Sequence, residues 1–255
     1  MSKPSKSRDR REILEQKRNQ ARAAERRRTM AVVAVCVAVA LVITGAAIFT
    51  VLKNNREQSQ LAKQDLTKIG AAAQAAGCGS IKETDASGQG QHTDQPVTYP
   101  VNPPPFGPHN PVPDQAGKHF YTADDRPALE ILVHNEEHGW TIVWYDEKVA
   151  GDSGQLKVLK ATAAKFDAFG NDPRYNVIFA PWTADDGGGQ AIPDGKHIGF
   201  THWSIHQPTY DAKAFKADPS WGESQYCTAF SGAALDSFMK KYPYDDAPEG
   251  YLWHR

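Results

Sequence analysis

The sequence predicts a small domain of α/β or α+β class: a mixed sheet of three to five strands with packed helices, preceded by one transmembrane helix and a Pro-rich strap. Three observations predict it. Ala31 to Leu52 runs for 22 residues without a charge, and such a helix would be about 33 Å long, enough to cross a hydrocarbon core of about 30 Å. Eight prolines fall between Pro96 and Pro113. Beyond Phe120, apolar residues at helical spacing alternate with short β-branched and aromatic runs.

Residues 1–29 carry eleven Lys and Arg against four acids, a charge of +7, and the remaining chain carries −8. The near-neutral total therefore hides two oppositely charged pieces. The basic residues before the apolar run predict a cytoplasmic N-terminus and an extracytoplasmic C-terminal part. A cleaved signal peptide, with Gly45-Ala46-Ala47 as its small-residue site, is the competing reading, but a cleavable apolar region is usually only about 7–15 residues. Cys36 lies inside the run rather than after it, which argues against a lipid-modified cysteine. The basic tail has no apolar face and reads as a segment drawn to anionic lipid; no nucleic-acid partner is implied.

The chain accordingly divides into a basic cytoplasmic tail (1–29), a transmembrane helix (30–52), a juxtamembrane helix and linker (53–95) and an extracytoplasmic globular domain (96–255). Within the linker, residues 84–95 are polar and have little to bury. Proline fixes φ and removes an amide donor, so the proline-rich strap should be extended and outside any sheet.

In the globular part, Asp125-Arg126-Pro127 suits a helix start and Gly139 a helix stop, giving a helix over 126–138. A buried strand follows at 140–146, then a helix from Ser153 to Phe169 and a strand from Tyr175 to Ala180. This strand-helix-strand unit implies parallel pairing. The acidic turn Asp185-Asp186-Gly187 lacks the spaced oxygens of a calcium loop and reads as a hairpin turn. It leads to a third strand around His197–Trp203, added antiparallel. The last helix spans Thr228 to Tyr242, with Phe230, Ala234, Phe238 and Met239 inward.

Two cysteines lie outside the apolar run. In an oxidising compartment Cys78 and Cys227 predict one disulfide, worth roughly 4–5 kcal/mol in the chain-entropy model.

Chemistry concentrates in Leu132-Val133-His134-Asn135-Glu136-Glu137-His138-Gly139-Trp140. Residues four apart share a helix face, so His134 and His138 can reach one ion. Neutral imidazoles suit zinc and copper. His109, carried on the proline-rich segment, is the expected third ligand, with Glu137 as a ligand or an orienting group. The string also fits the H-x-x-E-H of inverted zinc peptidases, where Glu137 would be the catalytic base; no helix downstream supplies an obvious further ligand. A second pair, His202 and His206, has the same spacing and falls on one face of a strand. It reads as an exposed edge, or as completing a four-histidine site. No phosphate-cradling glycine loop and no G-x-S-x-G elbow is present, which argues against nucleotide enzymes and serine hydrolases.

The combination of one N-terminal span, Tyr99…Pro103-Pro104…Gly107-Pro108-His109, and His134-Asn135…Glu137-His138-Gly139 before a strand resembles a bacterial, mainly actinobacterial, family of membrane-anchored proteins, the domain of unknown function 3105. The resemblance extends over roughly residues 75–242 and implies His109, His134, Glu137 and His138 as a shared site. The family pattern has serine where Phe106 stands, leucine where Glu136 stands, and alanine-tryptophan where His202-Trp203 stand, so His202 and His206 fall outside what it implies.

These readings converge on a single-pass protein of the cell membrane, held in the bilayer through residues 31–52, whose extracytoplasmic domain binds zinc or copper. The alternative is an accessory subunit with a cell-envelope protein partner and purely structural histidines. A metal-dependent hydrolase ranks third, and the sequence favours a non-enzymatic role.

Overall fold

The computed structural model describes residues 6–207 and 210–254. It divides into two compact units, Met1–Arg56 and Glu57–Arg255. Helix α1 (Lys6–Ala62) is continuous and is long and apolar enough to cross a membrane. Its apolar side chains from Val32 to Leu52 are exposed, as a lipid-facing helix requires.

The second unit is built on a five-stranded mixed sheet. Its elements are β1 (Lys82–Asp85), α2 (Leu129–Glu137), β2 (Thr141–Tyr145), α3 (Glu147–Gly151), α4 (Ser153–Asp167), β3 (Val177–Pro181), β4 (Ile198–Ser204), β5 (Trp221–Cys227) and α5 (Gly232–Lys241). The strand order is β1-β5-β4-β2-β3. Strands β2 and β3 pair in parallel, as the strand-helix-strand pattern predicts, and every other neighbouring pair is antiparallel.

Alternation along the strands sorts the two faces. Val143, Tyr145, Val177, Phe179, Ile198, Phe200 and Cys227 pack with Leu159 and Phe166 of α4 and Leu235 and Phe238 of α5. Burying each large side chain here contributes about 1.5–3 kcal/mol. Ile142, Trp144, Ile178 and Ala180 point the other way, onto Leu132 of α2. Beside them Tyr99, Phe106, Val133 and Trp203 form a third cluster. The Cys78–Cys227 disulfide ties the segment before β1 to the end of β5.

Helix α2 ends in a Schellman motif at the residues that carry the chemistry. Gly139 N donates to Glu136 O (2.9 Å) and Trp140 N to Asn135 O (3.0 Å), with Gly139 at φ +83° supplying the left-handed turn. A Cβ at Gly139 would lie 1.7 Å from Tyr244 O, so the position tolerates no side chain. The helix stop read from Gly139 is therefore correct. The start is not: Ala128 is the N-cap, and Asp125 instead accepts hydrogen bonds from Thr122 N and Oγ1 at 2.6 and 2.8 Å.

Other departures have simple causes. Residues 84 and 85 belong to edge strand β1 rather than a linker; its polar side chains suffice because an edge strand needs one backbone partner and buries little. Strand β5 has no counterpart in the sequence reading, because Gly222, Glu223 and Gln225 break any apolar alternation. The Asp185–Gly189 turn is not a hairpin: it joins β3 to β4, and β2 lies between them. Asp186 is occupied there by Arg126 Nη2 at 2.7 Å. Finally, residues 96–113 form successive bends rather than one extended strap, and Pro103–Gly107 and His109 are buried.

Candidate metal centre

The C-terminal half of α2, the bend around His109 and the short run 91–93 meet beside Trp203 of β4. Backbone bonds fix the meeting: Thr93 N donates to His109 O (2.7 Å) and His109 N to Gln91 O (3.0 Å). The ring of His109 lies edge-on to Trp203, with centroids 5.8 Å apart, and close to the rings of His92 (4.9 Å) and His134 (4.8 Å).

One ligand atom each from His92, His109, His134 and Glu137 lies within 4.8 Å of all the others. His109 and His134 are 0% and 4% exposed and Glu137 7%, while the His92 side chain is half exposed. The group is thus buried on three sides and open on the fourth.

Hydrogen bonding sets the ring tautomers. His109 Nδ1 lies 2.8 Å from Gly107 O and His134 Nδ1 2.6 Å from Asn110 O. A carbonyl only accepts, so both Nδ1 atoms carry the proton and donate, and in the neutral rings both Nε2 atoms are bare lone pairs. His109 Nε2 points at Glu137 Oε2, 2.9 Å away, and has no hydrogen-bond partner among the described residues. His134 Nε2 lies 3.1 Å from His138 Nε2. Burial, reinforced by the neighbouring His138 and His109 and only partly offset by the bond to Asn110 O and by Glu137, pushes the His134 imidazole down to about 4, so it is neutral at physiological pH.

His138 sits slightly apart. Its Nε2 contacts Glu249 Oε2 at 2.9 Å, a hydrogen bond that holds the Glu249 carboxyl below its ordinary value. With Glu137 these two residues form a second group of mutually close ligand atoms. Glu249 reaches the site because its N–H donates to Glu137 O (3.0 Å) and Trp253 Nε1 donates to His138 O (2.8 Å).

Of the residues singled out in the sequence, His109, His134, Glu137 and His138 come together. His202 and His206 do not join them. His202 is fully buried on the α5 face, with Nε2 bonded to Asp246 O (3.0 Å) and Nδ1 3.5 Å from Thr141 Oγ1; burial lowers its pKa. It is a core residue, not an exposed edge. His206 stands beyond the end of β4 at φ +55°, stacked on Trp221 and 2.9 Å from Glu223 Oε1.

Two members were missed. His92 lies in the polar run TDASGQGQHTDQ, where only its backbone pairing with His109 gives it a place. Glu249 is near the chain end, in a stretch whose sequence carries no periodicity.

Glu136, beside Glu137, faces the core. It is 0% exposed, and among the described residues neither oxygen makes a well-formed hydrogen bond. Burial raises its pKa well above the ordinary carboxylate value, opposed only by the Thr201 side chain.

No curated protein and no solved structure matches the chain. Residues 91–193 match the model of a family described as Protein of unknown function (DUF3105). That span contains His92, His109, His134, Glu137 and His138 and ends before His202, His206 and Glu249.

Proposed function

We propose that this protein is a membrane-anchored transition-metal-binding protein, with zinc or copper held by His109, His134 and Glu137 and closed on the open side by His92. The observation that carries the reading is the pair of buried imidazoles whose Nδ1 protons are engaged by carbonyls, leaving two bare Nε2 lone pairs beside a carboxylate. Lone pairs and an anion facing one another repel unless a cation lies between them. Carbonyl-bonded Nδ1 is also the usual outer-shell arrangement of histidine ligands. Two ligand atoms on one tetrahedral zinc stand roughly 3.3 Å apart, near the 2.9 Å between His109 Nε2 and Glu137 Oε2.

Glu137 is in contact with His109 Nε2, which favours a ligand over the free base of an H-x-x-E-H peptidase. We further place the site outside the cytoplasm. The +7 segment before the apolar helix argues for an N-in topology, and the Cys78–Cys227 disulfide suits an oxidising compartment.

The test is elemental analysis of the full chain in detergent, purified without chelator or polyhistidine tag, beside His109→Ala/His134→Ala. Near-stoichiometric zinc or copper in the first and none in the second is the expected result. Absence of metal from the wild type, with no uptake on titration, would remove the proposal.

A further inference from the structure

The histidines and acids around α2 do not collapse onto one point. His92, His109, His134 and Glu137 form one set of mutually close ligand atoms, and Glu137, His138 and Glu249 form another. Glu137 is the member common to both. His138 belongs with Glu249, 2.9 Å away, rather than with His92 and His109, although its Nε2 approaches His134 Nε2 to 3.1 Å.

We infer that the centre is dinuclear, with one metal ion held by His92, His109 and His134, a second held by His138 and Glu249, and the Glu137 carboxylate shared between them. The inference rests on the metal-binding reading above and extends it. A carboxylate with two oxygens can bridge two cations, and dinuclear sites hold their metals about 3.5–4 Å apart. Adjacent ligands of two such ions approach one another closely, as the His134 and His138 nitrogens do. A single ion cannot take all six groups while the two sets remain distinct.

The burial pattern agrees. The first set is the more enclosed: His109 and His134 are almost inaccessible, and His92 alone of its members is exposed. In the second, the His138 and Glu249 side chains are 21% and 34% exposed. Its ion would therefore face solvent and keep water in its shell, whereas the first would be held by protein groups. The chemical class of the second ligand is a borderline divalent cation that accepts mixed imidazole and carboxylate donors, such as zinc. Glu249 is held by the C-terminal segment through the Glu249 N and Trp253 Nε1 bonds to α2 carbonyls, so the second position depends on residues outside the family span 91–193.

A proton on His138 Nε2, donated to Glu249, would satisfy the same contacts without an ion, and stoichiometry separates the two. The full chain in detergent, stripped of metal, is titrated with zinc and then dialysed. Two equivalents per chain are expected, falling to one in Glu249→Ala and in His138→Ala. Loading with copper(II) should give a spin-coupled electron paramagnetic resonance signal in the wild type and an uncoupled one in Glu249→Ala. One equivalent in the wild type, unchanged in Glu249→Ala, overturns the dinuclear assignment and leaves the metal-binding reading intact. Zero equivalents overturn both. Glu83, His206 and Glu223 form a further group of mutually close ligand atoms; two equivalents retained in Glu249→Ala but one in His206→Ala would put the second ion there, and would also overturn the assignment.

Discussion

Two pairs of histidines share a spacing of four and have opposite fates. His134 and His138 lie at the end of helix α2, with their Nε2 atoms 3.1 Å apart. His202 lies on strand β4 inside the core, and His206 stands past the strand's end, stacked on Trp221. The difference lies in which nitrogen the surroundings occupy. At His134 a carbonyl takes Nδ1 and leaves Nε2 bare. At His202 a carbonyl takes Nε2 and a threonine hydroxyl lies near Nδ1, so neither nitrogen is left for an ion. Spacing places imidazoles on a face, and hydrogen bonding of the second nitrogen decides whether they are ligands or packing.

The comparison is broken most directly by exchanging the expected losses. His134→Ala should weaken metal binding by more than about 100-fold, since even outer-shell changes cost 10–100-fold, while His202→Ala should leave metal content unchanged. Equal losses in the two variants, read by competition with a chelating dye, would erase the distinction.

Stability should respond in the opposite order. His202→Ala opens a cavity in the core and strips Asp246 O of its donor, for an expected destabilisation of roughly 3–5 kcal/mol in denaturant melts. In the metal-free protein, His134→Ala should cost less: it too strips a carbonyl, Asn110 O, of its donor, but it relieves the crowding of Nε2 against the His109 and Glu137 ligand atoms.

Acidification sharpens the same contrast. His134 and His202 both titrate below the ordinary histidine value when folded. The unfolded chain then takes up protons first as pH falls, so stability is fully present above about pH 6.5 and is lost below it. For His134, whose folded value is about 4, the loss amounts to roughly 3 kcal/mol by pH 4. Bound metal should add its own acid dependence, because protons compete for Nε2. Melts of metal-free and zinc-loaded protein from pH 8 to 4 check both, and a metal-free protein equally stable across that range would contradict the assignment.

The smallest effect concerns Glu136, one residue from the site and turned away from it. Its folded pKa is raised, so its unfavourable contribution is absent below the unfolded carboxylate value and grows as pH rises. Glu136→Leu should therefore stabilise by about 1–2 kcal/mol at pH 7, shrinking toward acid pH, without altering metal content. Urea melts at pH 7 and 4 would show it.

How much of this was readable beforehand follows from where each signal resides. The helix carrying His134, Glu137 and His138 was legible because its stop is written locally, in a glycine whose φ no side chain can share. Strands β2 and β3 were legible because they are buried on both faces and read as apolar runs, and β4 because its aromatic residues follow a turn-rich stretch. The cysteine pair was legible by exclusion of Cys36. Strands β1 and β5 were not, since an edge of KETD beside WGESQYC depends on pairing rather than on composition. His92 and Glu249 were hidden for the same reason: their places come from backbone bonds to His109 and Glu137 across long separations. His202 was misread as an edge residue because alternation gives its face but not what packs on it.

The measurement that tests the central claim most directly is X-ray absorption at the edge of the metal carried by the full-length protein. The account predicts a first shell of nitrogen and oxygen at about 2.0–2.1 Å with the outer-shell scattering of imidazole rings, both weakened in His109→Ala/His134→Ala. A wild-type spectrum without imidazole scattering, or one unchanged in that variant, would contradict it.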